Sequence, residues 1–128
     1  MTNEELENTS EIRGYTDLLV WQRAMELAEE VYRLAAMLPD IERYGLAPQI
    51  RKATISIPSN IAEGHSRQTT GHYRHHLQIA RGSTAEVQTQ LQLMVRLHQI
   101  PQSNIAKAMS LSEECMRMLA TLINRLRQ

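Results

Sequence analysis

From Val20 onward the apolar residues of this chain recur at intervals of three and four: Val20, Ala24, Leu27, Val31, Leu34 and Leu38. On an α-helix these six share one stripe, whereas on a strand they would scatter over both faces. Three further runs repeat the pattern. Ile50, Ala53, Ile57 and Ile61 make the second, and Tyr73, Leu77, Ala80, Thr84, Val87, Leu91, Met94 and His98 the third. Ile105, Ala108, Ser112, Cys115, Leu119, Leu122 and Leu126 make the fourth, and no β-branched run alternates with period two. The pattern predicts an all-α fold of four helices, and the shortness of the links predicts an antiparallel up-down four-helix bundle.

Local signals place the ends. Thr16 or Asp17 is positioned to cap the first helix, and Pro39 to end it. On its wet face Glu26 and Glu30 should repel weakly, and Glu29 and Arg33 should attract. A turn-rich link over residues 39–45 leads to a second helix from about Pro48, suited to a first helical position, to Gly64. Thr69 or Thr70 then caps a long helix of about 40 Å that Pro101 stops, and Ser103 or Asn104 opens the last one.

The length of 128 residues suits one domain. Residues 15–128 are expected to form the bundle, and residues 1–14 an acidic, mobile N-terminal segment. That polar start lacks the basic and apolar parts of a secretory signal, and no apolar run approaches membrane-span length. A single cysteine, Cys115, excludes an internal disulfide framework and a zinc finger. The expectation is a soluble, cytoplasmic protein without a membrane partner.

Two helices carry more apolar surface than one seam needs. The first adds Trp21, Ala28 and Ala35, and Met25 with Tyr32; the last adds Met109, Met116 and Ile123. A helix apolar over much of its circumference is buried on two sides. The second stripes therefore predict a homo-oligomer, with Trp21, Met25, Tyr32, Met109, Met116 and Ile123 at the subunit interface; the alternative is an apolar surface with scattered methionines.

The zero net charge conceals an imbalance. Residues 1–42 hold ten acids and three bases, and residues 43–128 hold four acids and eleven bases. Such a split marks a basic surface for phosphates, or else two halves that neutralise each other in the fold or across an oligomer.

Pro58 interrupts the second helical run. It has no N–H to give the carbonyl of Thr54 and its ring crowds that carbonyl. Thr54, Ser56 and Ser59 have hydroxyls that could serve the freed groups around a kink, and Asn60 and Glu63 follow one turn on. Glu63 as a catalytic acid or base has no partner of known proximity.

The stretch Leu46-Ala47-Pro48-Gln49-Ile50-Arg51-Lys52-Ala53-Thr54-Ile55-Ser56-Ile57-Pro58-Ser59-Asn60-Ile61-Ala62-Glu63-Gly64 resembles the signature of the four-helix bundle proteins, also called 23S rRNA intervening-sequence proteins. Asp17-Leu18, Val20-Trp21-Gln22-Arg23-Ala24 and Tyr32 match at the start; Pro39, Glu42 and Tyr44-Gly45-Leu46 match in the first link. Ala80-Arg81-Gly82-Ser83, Glu86 and Gln90-Leu91 match in the third helix. The departures are Ala47 at a usual hydroxyl cap, Lys52 for arginine and Tyr73 for phenylalanine. The resemblance covers residues 15–125. It implies an antiparallel bundle assembled into a homo-oligomeric ring, typically a pentamer, with no enzymatic activity. It also implies a motif of Ser56, Pro58, Ser59, Asn60, Glu63, Gly64, Gly82, Ser83 and Glu86. Some members are encoded within insertions in large-subunit ribosomal RNA genes. The accessory variability determinant of diversity-generating retroelements is similar in architecture and binds a reverse transcriptase and nucleic acid.

Other chemistry is weakly signalled. His72, His75 and His76 have helical ligand spacing, but no cysteine lies near and no His-Glu-x-x-His or Glu-x-x-His occurs. They read as a solvated or interface cluster, and no metal or cofactor is expected. Arg67 and His72 stand five apart across a turn, with no evident common face. Cys115 lies on a core stripe and reads as a small apolar residue. Phosphate-cradling glycine loops are absent; Gly82, with Ser83, reads as a site of close helix packing across which Glu86 can bond.

Arg51, Lys52, Arg67, Arg74 and Arg81 are the candidate nucleic-acid contacts, and a ring would repeat them into a multivalent surface. The chain is thus read as a non-enzymatic homo-oligomeric scaffold or adaptor, associating with RNA or a nucleic-acid-handling protein and taking no small-molecule substrate. The alternative is a protein–protein interaction module whose basic residues serve only subunit contacts.

Overall fold

The computed structural model describes residues 13–126. Four helices form where the stripes lie: α1 (Leu19–Ala35), α2 (Leu46–Ser66), α3 (Thr70–His98) and α4 (Gln102–Arg125), with 3-10 turns at Tyr15–Asp17 and Asp40–Glu42. Among the described residues there is no strand, and no helix is long and apolar enough to cross a membrane. Helix α1 packs on α2 and α4, and α3 packs on the same two, so the four close a ring of neighbours around one core. Val20, Ala24, Leu27, Val31 and Leu34 from α1 are fully buried with Ile50, Ile57 and Ile61 from α2, and Leu77, Val87, Leu91 and Met94 from α3. Helix α4 contributes Ile105, Ala108, Cys115 and Leu119. Burying each Val, Leu, Ile or Met among them stabilises the fold by about 1.5–3 kcal/mol before its entropy is counted.

The helix ends differ in detail from the sequence expectations. Neither Thr16 nor Asp17 caps α1 through its side chain; Leu18 holds that position and the Asp17 carboxylate accepts the Arg13 N–H at 2.9 Å. Helix α1 ends at Ala35, ahead of Pro39. Helix α2 begins at Leu46, so Pro48 is its third residue, still within the first turn where its missing N–H has no partner to lose. The hydroxyl cap that Ala47 lacks is replaced from the link, where Glu42 Oε1 accepts the Leu46 N–H at 3.0 Å. Thr69 caps α3 as expected, accepting the His72 N–H at 3.2 Å. Arg33 pairs with Glu30, one turn back, rather than with Glu29.

The expected N-terminal segment lies almost wholly outside the described residues, which include only its Arg13 and Gly14.

Candidate functional site

The second helix runs unbroken through Pro58, and its polar residues gather in a seam against α3. Asn60 is the centre. Its Nδ2 donates to the Ser56 carbonyl at 2.9 Å and to Ser56 Oγ at 3.0 Å. Its Oδ1 therefore faces His76 Nδ1 at 3.0 Å, which must carry the hydrogen. Ser83 Oγ donates to Ser56 Oγ at 2.8 Å, so each helix supplies polar groups to the other. Glu63 is occupied by Arg67 at 2.9 Å, with His76 Nε2 at 3.9 Å. Ser56, Asn60, Glu63 and Ser83 thus come together as a helix-to-helix tie. His76, read from sequence as part of a solvated cluster, is instead a member of it; a histidine one register step from Asn60 gives no sequence signal until the two helices are aligned. Thr54 and Ser59 do not join. Thr54 Oγ1 is buried without a hydrogen-bond partner, and Ser59 is exposed.

The two motif glycines part company. A Cβ on Gly64 would meet His76 Cβ at 2.8 Å and Tyr73 Cδ1 and carbonyl oxygen at 3.2 Å, so a bare backbone here lets α2 and α3 approach. Tyr73, wedged at this contact, has its phenol pushed up to about 12 by burial. Gly82 has open space where its Cβ would be, which corrects the expectation of close packing there. Nor does Glu86 bond across it: Glu86 accepts from Gln90 in its own helix at 3.3 Å.

The five candidate basic residues fall on more than one surface. Arg74 donates to the Ile123 carbonyl at 3.4 Å, and Arg81, two turns on, lines a hollow of about 580 Å³ with Gln78, Gly82, Ala85 and Met116. A second hollow of about 350 Å³, lined by Gln88, Glu113, Met116, Arg117 and Ala120, shares Met116 with the first, so the two make one groove between α3 and α4. Arg67 is held by Glu63 at the far end of α2, and Lys52 is exposed near its start. Arg51 lines a third hollow, of about 260 Å³, beside the α1–α2 link.

The residues expected at a subunit interface also divide. Met25 and Tyr32 are 37% and 44% exposed on the outer face of α1. Met109 and Met116 are half-buried, and Trp21 is half-buried against Tyr15, ring centroids 5.4 Å apart. Ile123 belongs to the protomer's own core and offers little side chain to a partner.

His72 Nδ1 lies 2.8 Å from Thr69 Oγ1, whereas His75 stacks edge-on to His76. Among the described residues no group of three or more His, Cys, Asp or Glu could hold a metal ion. Cys115 is buried, and burial pushes its thiol up to about 12.

The sequence pattern of the family described as 23S rRNA-intervening sequence protein matches residues 16–121. The fold is similar to the solved structure of a protein of unknown function from the S23 ribosomal protein family of Bacteroides thetaiotaomicron. That likeness has a TM-score of 0.75 and 23% sequence identity, over 82% of this chain and 98% of the other. At that identity it bears on fold alone. No curated protein matches the chain.

Proposed function

The chain belongs to the 23S rRNA-intervening sequence protein family, and from that membership we propose a non-enzymatic, homo-oligomeric scaffold that associates with RNA or with a protein handling it. The bundle is read as antiparallel throughout. In support, partners of α2 advance along α3 from Tyr73 to Ser83 as α2 is followed back from Gly64 to Ser56. Partners of α3 likewise retreat along α4, from Ile123 at Arg74 to Ser112 at Gln88.

Self-association rests on the outer face of α1, where Met25, Tyr32 and the intervening Glu29 stand in water on one side of the helix. That face is the observation that carries the proposal. Its counterpart is the α3–α4 groove, with small residues Gly82 and Ala85 around Met116 and the cations Arg81 and Arg117 at its margins. A stripe on one side of a protomer meeting a groove on another is a head-to-tail contact, which closes a ring when the rotation allows; five copies is the number the family resemblance implies. A ring repeats Arg51, Lys52, Arg67, Arg74 and Arg81 and so multiplies weak phosphate contacts into avidity. The absence of an enzymatic role is supported by Glu63 being paired with Arg67 and by the inaccessible Cys115 thiol. We place the protein in the cytoplasm.

A gel shift with structured RNA tests the reading. Retention at about 50 mM salt that fades by about 200 mM is expected. No retention at low salt would overturn the RNA association. If charge reversal of Arg67 and Arg74 dissolves the oligomer and leaves RNA retention intact, the basic residues serve subunit contacts instead.

A further inference from the structure

The α1–α2 link is tied down by its own backbone. Glu42 N–H donates to the Pro39 carbonyl at 2.9 Å, Arg43 to Asp40 at 3.0 Å and Gly45 to Glu42 at 3.0 Å. Glu42 turns its carboxylate inward, to Leu46 N–H and His98. Gly45 makes that turn feasible, since a Cβ there would lie 2.6 Å from Glu42 Oε1. Leu46 packs against the core. Glu42, Gly45 and Leu46 therefore each have structural work. Tyr44 stands apart: it is 88% exposed, with the Arg43 guanidinium 5.6 Å from its ring centroid.

Arg43 in turn lines the hollow of about 260 Å³, together with Asp40, Arg51 and the apolar Ala35, Leu38, Pro39 and Ala47. Among the described residues neither arginine has an ion-pair partner, and Arg51 is half-buried. Around this hollow two arginines stand against one carboxylate, a balance that favours an anion, and a guanidinium fork matches phosphate oxygens. Residues 43–52 carry Arg43, Arg51 and Lys52 and no acid, which outweighs Asp40. Lys52, next in the chain, is exposed.

We propose that this link binds one nucleotide of a single-stranded RNA, Tyr44 stacking on the base and Arg43 with Arg51 holding its phosphate. The proposal rests on the reading of RNA association and narrows it. An exposed aromatic ring next to a guanidinium suits an unpaired base, because a base within a duplex has no free face to offer. A carboxylate-bearing protein segment would use the arginines but would not require a planar ring on Tyr44. Every sister copy in a ring would present the same nucleotide grip, so one flexible strand could engage several in turn.

Fluorescence anisotropy with a labelled single-stranded RNA decamer, and with the same sequence as a duplex, tests the assignment. Tyr44→Ala should weaken single-strand binding by ~5- to 100-fold and leave duplex binding unchanged, and Tyr44→Phe should restore it. Arg51→Gln should weaken both and lower the salt slope by about one phosphate contact. Single-strand binding indifferent to Tyr44→Ala would overturn the assignment while leaving RNA association in place. So would a fall in assembled mass with RNA affinity unchanged, which would make Tyr44 a subunit contact. Failure of the wild-type chain to bind the decamer would also overturn it, and the structured-RNA gel shift then decides separately whether the broader reading survives.

Discussion

His98 Nε2 and Glu42 Oε2 meet at 2.6 Å across 56 residues of chain, and the second oxygen of the same carboxylate holds the Leu46 N–H. One side chain therefore fastens the α1–α2 link to the start of α2 and to the end of α3. Among the described residues no other carboxylate joins two helices through a backbone N–H and a side chain at once.

The Leu46 N–H first, and the His98 imidazole second, hold the Glu42 carboxyl below its ordinary value. A carboxyl depressed in the fold contributes stability above its unfolded value, and that contribution fades as pH falls through the folded value. Urea midpoints of the wild type should therefore drop more between about pH 6 and about pH 3 than those of Glu42→Gln. Parallel curves would show that the clasp draws nothing from its charge.

Two glycine substitutions should act with opposite sign. Gly64→Ala drives a methyl into His76 and Tyr73 and should destabilise by about 1–3 kcal/mol. Gly82→Ala meets open space inside a helix and should stabilise the isolated fold by about 0.5–1 kcal/mol. Urea unfolding at a concentration where light scattering shows single chains separates the two.

The unpartnered Thr54 hydroxyl is a cost that valine removes without changing shape. Thr54→Val should raise stability by about 1 kcal/mol, read as a higher denaturant midpoint at unchanged slope. A lower midpoint would mean that the hydroxyl has a hydrogen-bond partner after all.

With its thiol buried and pushed up to about 12, Cys115 should react with an aromatic disulfide reagent only when the chain unfolds. Labelling of the native protein at the rate of a free peptide thiol would contradict the packing of α4.

How far the sequence reaches depends on the kind of contact. The core stripes from Val20 to Leu122 were legible because burial repeats with the helix period, which the chain carries within each helix. Contacts between helices were legible only as candidates. Ser56, Asn60, Glu63 and Ser83 are hydrogen-bonding residues around a helical proline, yet that His76 completes their tie depends on the register of α3 against α2. The same register decides that Gly64 faces a neighbour and Gly82 faces space. The link resisted for a different reason: Tyr44 and Arg43 follow no period, so their exposure and the hollow beside them emerge only from the path of the chain. Charge totals likewise say nothing of direction, and the five basic residues divide among separate surfaces.

In the proposed assembly the outer face of α1 seats on the α3–α4 groove of a sister copy. Light scattering on the purified chain at micromolar concentration tests it most directly, with Met25→Glu/Tyr32→Glu as the paired variant. The wild type should scatter as a particle of several times the 14.7 kDa chain mass, and the variant as a single helical chain. A wild type that scatters as one chain, or a variant that keeps the full assembled mass, would contradict that assembly.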